Sequence, residues 1–295
     1  MAILVGTASW TDKTLLESGW YPSDAKTAEA RLAYYAERFP LVEVDSTYYG
    51  LPSERNAVLW AERTPKNFTF NVKAFSLMTG HPTRIAALPK DVRDAAPEDA
   101  KTVRPGDLPA SVVDHVWEIF RSALMPLHSA GKLGCILMQF PEWFLPKDSN
   151  RERILDAASR LPDYRIAVEF RRGDWLQGAE GERTIAFLTK HKLPLVCLDM
   201  PQGFASSVAP VTAVTARDLA ILRLHGHNKE TWKKRGITAA ERFNYLYSQK
   251  ELSGLVPRVR ALEEKARETH VVFNNCYRDK GVINATQLSG LLGLE

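Results

Sequence analysis

The stretch R-I-A-V-E-F-R, from Arg165 to Arg171, is apolar and β-branched through its middle and charged at its end. A strand buried on both faces reads this way where it emerges at a polar edge. The same pattern recurs at Ile3–Ser9, Leu41–Thr47, Phe68–Lys73, Gly134–Phe140, Pro194–Asp199, Leu219–His225 and His270–Asn275. Between these runs lie stretches of helical character. Leu32, Tyr35, Ala36 and Phe39 share one face of 26–39, and Val113, Trp117, Phe120 and Leu124 share one face of Ser111–Ala130. Glu54–Arg63, Thr184–Lys190 and Val256–Thr269 supply further crossovers. Ser149 with Glu152, and Asn284 with Gln287, read as capping boxes that open two more helices. The helix between the sixth and seventh runs is poorly marked. Eight strand–helix units in 295 residues predict an α/β chain folded as one (β/α)8 TIM-like barrel spanning 1–295.

One segment breaks the rhythm. From Phe75 to Pro109 there is no periodicity, and the chain is dense in proline and charge. Because it follows the third run, 81–110 is a candidate lid over the barrel mouth, with a solvated or disordered insertion as the competing reading. The remaining composition is that of a globular chain, 45% hydrophobic and 25% charged, with a net charge of +4. That charge is too small to argue for nucleic acid by itself. No apolar run reaches a membrane-spanning length and no leader is visible, so no membrane partner and a cytoplasmic location are expected. Cys135, Cys197 and Cys276 show no C-x-x-C spacing and read as free thiols in apolar surroundings.

Alternation of side chains along each run then selects residues. Glu43 and Asp45 share a parity; so do Asn71 and Lys73, Glu169 and Arg171, and Arg223 and His225. Thr7 and Ser9, Gln139, Asp199 and Asn274 are the polar members of their own runs. A helix-covered outer face favours apolar groups, so the polar parity is expected to point inward and converge at the C-terminal mouth. Acids and bases crowded into one low-dielectric place suit acid–base chemistry or anion binding, whereas a purely stabilising barrel is filled with Val, Ile and Leu. Aromatic residues follow every run, among them Trp10, Tyr48, Trp143, Trp175 and Trp232, and offer faces to a ring-bearing ligand. No G-x-G-x-x-G, phosphate-loop or G-x-S-x-G string occurs. His225 and His227 form an H-x-H pair near Glu169 and Asp199, which leaves a metal cofactor open but not favoured, because Arg171 and Arg223 would oppose a dication.

Several of these strings resemble one family. G-T-A-S-W at Gly6–Trp10, V-E-V-D-S-T-Y-Y-G-L-P at Val42–Pro52 and F-T-F-N-V-K at Phe68–Lys73 are similar to motifs of the YecE-like proteins, known as domain of unknown function 72. So are M-Q-F-P at Met138–Pro141, V-E-F-R at Val168–Arg171, R-L-H-G at Arg223–Gly226, N-N at Asn274–Asn275 and N-A at Asn284–Ala285. The resemblance runs nearly end to end and implies a TIM-like barrel of unassigned activity. It places the family's polar cluster on Glu43, Ser46, Thr47, Tyr48, Lys73, Gln139, Glu169, Arg171, Asp199, Arg223, His225 and Asn275. Two departures stand out. The family's first motif reads G-x-S-G-W, so Ser9 stands where it has glycine, and the 81–110 excursion is longer than usual.

Together these readings predict a small anionic ligand, phosphate- or carboxylate-bearing, at the mouth. The chemistry they point to is a hydrolase, lyase or isomerase reaction. Glu169, Asp199 and His225 are the candidate catalytic residues. Lys73, Arg171 and Arg223 are expected to hold the anion, with Glu43, Thr47, Gln139 and Asn275 orienting it and Trp10 and Tyr48 stacking on it. No residue is assigned to metal. Two alternatives stand beside this reading: a nucleic-acid processing protein like the barrel endonucleases, not favoured, and a binding or sensor barrel without turnover.

Overall fold

A computed structural model describes residues 2–294. Eight parallel strands carry the fold: β1 (Ala2–Ala8), β2 (Leu41–Val44), β3 (Thr69–Lys73), β4 (Leu133–Gln139), β5 (Ile166–Glu169), β6 (Val196–Asp199), β7 (Leu219–Leu224) and β8 (Glu268–Phe273). Their order around the sheet is β5-β4-β3-β2-β1-β8-β7-β6. The cylinder is completed between β5 and β6 by the single bridge of Val168 to Leu195 and the bond from Val168 N to Pro194 O. This is the eight-stranded barrel that the repeated runs predict, nearly closed and wrapped in helices.

The strands form because both faces are buried and β-branched residues pack well there. The outer faces of Val42, Val44, Val72 and Val168 meet the helical coat in one continuous core. Burying a side chain of this size contributes about 1.5–3 kcal/mol each. Gly6 is needed where β1 and β2 touch, since a Cβ there would lie 1.9 Å from the carbonyl oxygen of Leu41. Ser9 has φ of 74°, the left-handed region that suits the glycine of the family motif.

Helices follow most strands, with corrected boundaries. The helix placed at Ser149–Glu152 begins at Asp148, with Lys147 as its cap and no side-chain capping bond. The last helix runs Lys280–Leu291, so Asn284 lies inside it and is buried. Its amide accepts from Tyr247 N at 2.9 Å and donates to Tyr247 O at 3.0 Å, which makes it a tether and not a cap. True capping boxes occur at Thr238 with Glu241 and at Ser248 with Glu251. The latter opens Gln249–Glu263, which starts seven residues earlier than periodicity at Val256 indicated. Among the described residues no helix lies between β6 and β7. Within the 81–110 segment, Thr83–Arg84 pairs antiparallel with Thr102–Val103, a short helix covers Lys90–Arg93, and Val92 and Val103 are buried. Among the described residues no helix is long and apolar enough to cross a membrane.

Candidate functional site at the barrel mouth

The inner face of the barrel is set by register. Arg223 on β7 lies level with Val272 on β8 and Leu198 on β6, and Glu43 on β2 lies level with Asn71 on β3. Side chains in register on neighbouring parallel strands point the same way. Across the interior, Arg223 donates from Nη2 to Glu43 Oε1 at 2.6 Å and from Nη1 to Glu169 Oε2 at 2.5 Å. Arg171 Nε donates to the other oxygen of Glu169, and its Nη2 donates to Gln139 Oε1 at 3.0 Å. Glu43, Glu169 and Arg223 are at most 1% exposed. Such charges persist in a dry interior only when each is paired and hydrogen-bonded.

His225 continues the inward face of β7. Its Nδ1 bonds Asn274 Nδ2 at 2.8 Å, and its Nε2 stands 3.9 Å from Glu169 Oε1 with no hydrogen-bond partner among the described residues. Lys73 ends β3 and stays outside the ion-pair network: its Nζ lies over the Tyr48 ring, 4.4 Å from the centroid. Above these groups opens a cavity of about 250 Å³, whose lining includes Asp45, Tyr48, Lys73, Gln139, Arg171 and Arg223. The cations thus face the cavity, and the glutamates lie behind them.

The environments push like groups apart. Burial raises the Glu43 carboxyl above the ordinary carboxylate range even though Arg223 pulls it down. Burial acts the same way on Glu169, but Arg171 and Arg223 outweigh it and hold that carboxyl below the usual range. Burial, reinforced by Arg171 and Arg223, keeps His225 well below its usual value and therefore neutral. Desolvation and the Arg223 charge bring Lys73 down to about 8. Burial raises Asp45. A lysine titrating near neutrality in a cavity is the kind of group that moves protons.

Eight predicted residues come together here: Glu43, Tyr48, Lys73, Gln139, Glu169, Arg171, Arg223 and His225. Four do not. Asp199 is level with Leu224 and faces the outer coat, where it accepts from Tyr247 Oη at 2.7 Å, meets His227 Nε2 at 2.7 Å and has Arg258 Nη1 at 3.8 Å. Asn275 also turns outward, donating to Tyr245 O and Asn284 Oδ1. Trp10 is buried edge-on against Trp60 and Phe70 under the helical coat, so it cannot stack on a ligand in the mouth. Thr47 is spent on backbone, donating to Val44 O and Lys73 O, and fixes the turn that carries Tyr48. Thr7 too faces outward, bonded to Tyr35 Oη at 2.9 Å.

The reading missed Arg242 and Phe243, which line the cavity from the short helix Ala239–Arg242. Arg242 is engaged by Trp232 O and Lys234 O. The capping box at Thr238 and Glu241 was the available signal. His81 was missed as well; it packs edge-on against Tyr48 at 5.3 Å and ties the 81–110 excursion to the mouth. Among the described residues no three His, Cys, Asp or Glu side chains gather in a way that would hold a metal ion.

Comparison with known proteins agrees with this architecture. The family model described as protein of unknown function DUF72 matches residues 4–295. The chain belongs to the DUF72 family. A curated relative, the UPF0759 protein YunF of Bacillus subtilis strain 168, is 29% identical over 297 residues, covering 99% of this chain and 95% of YunF. Among solved DUF72 structures, one from Thermotoga maritima is 29% identical, with a TM-score of 0.78 and coverage of 99% of this chain and 100% of that one. One from Enterococcus faecalis V583 is 25% identical, with a TM-score of 0.80 and coverage of 99% and 96%. The departure of this DUF72 chain at Ser9 falls outside the ion-pair cluster.

Proposed function

We propose that the mouth of this DUF72 barrel binds a small anion and acts on it by acid–base chemistry. The observation that carries the reading is the orientation of the network: Lys73, Arg171 and Arg223 line the cavity, while Glu43 and Glu169, which pair with the two arginines, are buried behind them. Glu43 and Glu169 thereby hold guanidinium groups in place without occupying the space in front of them. Both terminal nitrogens of a guanidinium carry two hydrogens, so Arg223 keeps donors free after binding the glutamates. A phosphate or carboxylate accepts such charge-assisted bonds strongly.

On this reading, roles within the predicted set shift. Glu169 is held ionised with both oxygens occupied, which suits a positioning residue. Lys73 has the freedom and the titration range of the proton-transfer group. Tyr48 covers it, and the 81–110 segment closes over that corner through His81. The cavity falls below the roughly 300–1,000 Å³ of sites for drug-sized ligands, so the ligand is of small-metabolite size.

Titration with inorganic phosphate by calorimetry tests this. Lys73→Met is expected to weaken binding by about tenfold or more, the loss of one charge-assisted contact. Wild-type protein that shows no phosphate binding at millimolar concentration would sink the reading.

A further inference from the structure

We propose that Lys73 is a covalent nucleophile that forms an imine with a small aldehyde or ketone carrying a carboxylate or phosphate. The inference rests on the anion-binding reading above and names the substrate class for the same cavity. Three observations converge on it. Lys73 is the lysine at the C-terminal end of a barrel strand, and its Nζ has a ring beneath it and no carboxylate partner among the described residues. A lysine amine becomes nucleophilic when it is desolvated beside another cation, and Arg171 and Arg223 line the same cavity. Asp45 also lines it, and burial favours the protonated form of its carboxyl.

The chemistry balances with these groups alone. The neutral amine attacks the carbonyl carbon, an N–C bond forms, and the π pair moves to oxygen, which takes up the proton that nitrogen releases. The resulting carbinolamine loses its hydroxyl as water when the Asp45 carboxyl delivers a proton. The nitrogen lone pair then closes the C=N bond as an iminium, and its N–H proton returns to the Asp45 carboxylate. Carbonyl and amine become imine and water, with no oxidant or reductant. Arg171 and Arg223 hold the anionic end of the substrate.

The test is reductive trapping. The full chain is incubated with pyruvate, and separately with glyceraldehyde 3-phosphate, in the presence of borohydride, and adducts are mapped by peptide mass spectrometry. One dominant adduct at Lys73 is expected with at least one probe, rising with pH through about 8 as the amine is released. Lys73→Arg, which keeps the charge and whose folding is checked by its melt, is expected to abolish it. Asp45→Asn is expected to slow adduct formation about tenfold while phosphate still binds. Adducts spread evenly over surface lysines, or an unchanged yield in Lys73→Arg, overturn the proposal. If phosphate binds and neither probe is trapped, imine formation falls and the anion reading stands. If phosphate does not bind either, both fall.

Discussion

Two cations on or just beyond β7 each sit between two carboxylates, and they are built to behave differently. Arg223 bridges Glu43 and Glu169 inside the barrel. His227 bridges Asp199 at 2.7 Å and Glu251 at 3.1 Å outside it. The first cation is permanent, and the pairs around it are at most 2% exposed. The second can lose its proton, and its side chain is 37% exposed. The same pattern therefore gives a fixed electrostatic floor in one place and a titratable clasp in the other. Burial decides the difference: a buried charge that loses its partner is expensive, whereas a solvated one is not.

Removing the central cations should separate the two regions most sharply. Arg223→Met strands two carboxylates in the interior. A loss of about 3–5 kcal/mol in unfolding free energy is expected, as for breaking other buried pairs. Urea denaturation measures it. A loss below about 1 kcal/mol would show that water reaches the floor, and the contrast between the regions would collapse.

The floor was largely legible in the sequence, and the clasp was not. Glu169, Arg171, Arg223 and His225 lie at the ends of runs whose middles are apolar, and the inward parity picks them out. The same rule fails at Thr7 and Asp199. Parity separates two faces without saying which is inner, and here the helical coat supplies polar partners of its own: Tyr35 for Thr7, and Tyr247 and Arg258 for Asp199. Asn275 fails because it lies past the end of β8 and packs on the last helix. The eight-strand cylinder survived these errors because it depends on the count and spacing of apolar runs. Residues outside the barrel strands, such as His81 and Arg242, reach the mouth through tertiary packing; the capping box at Thr238 marks a helix start but not where that helix docks.

A smaller effect is expected from Glu169→Gln. The folded-state value of Glu169 lies below its unfolded one, so its ionisation stabilises the fold above the unfolded value, roughly pH 4.3, and that stability is lost as pH falls through the folded value. The amide variant should be less stable near neutrality by about 1–3 kcal/mol, since it leaves a buried guanidinium short of an acceptor. Its acid unfolding should also be flatter. Unfolding midpoints followed from neutral to acid pH check this. Parallel curves for wild type and variant would mean that Glu169 does not titrate with folding.

The clasp gives the smallest change and the opposite pH sign. The hydrogen bond to Asp199 raises His227 above its usual value despite partial burial, and Glu251 adds to the effect. Around the ring stand Asp199, Glu251, Tyr245, Tyr247 and, on the far side of Asp199, Arg258. A raised folded-state value means the extra stability is fully present below the unfolded value near 6.5 and lost as pH rises through the folded one. His227→Gln should therefore cost less than about 1 kcal/mol, as expected for exposed ion pairs. That difference should shrink between about pH 5.5 and about pH 8.5 as wild-type His227 loses its charge. Urea midpoints at the two pH values read it directly. A difference that stays constant or grows with pH would mean that His227 is held by neutral hydrogen bonds alone, and the clasp would then be as fixed as the Arg223 floor.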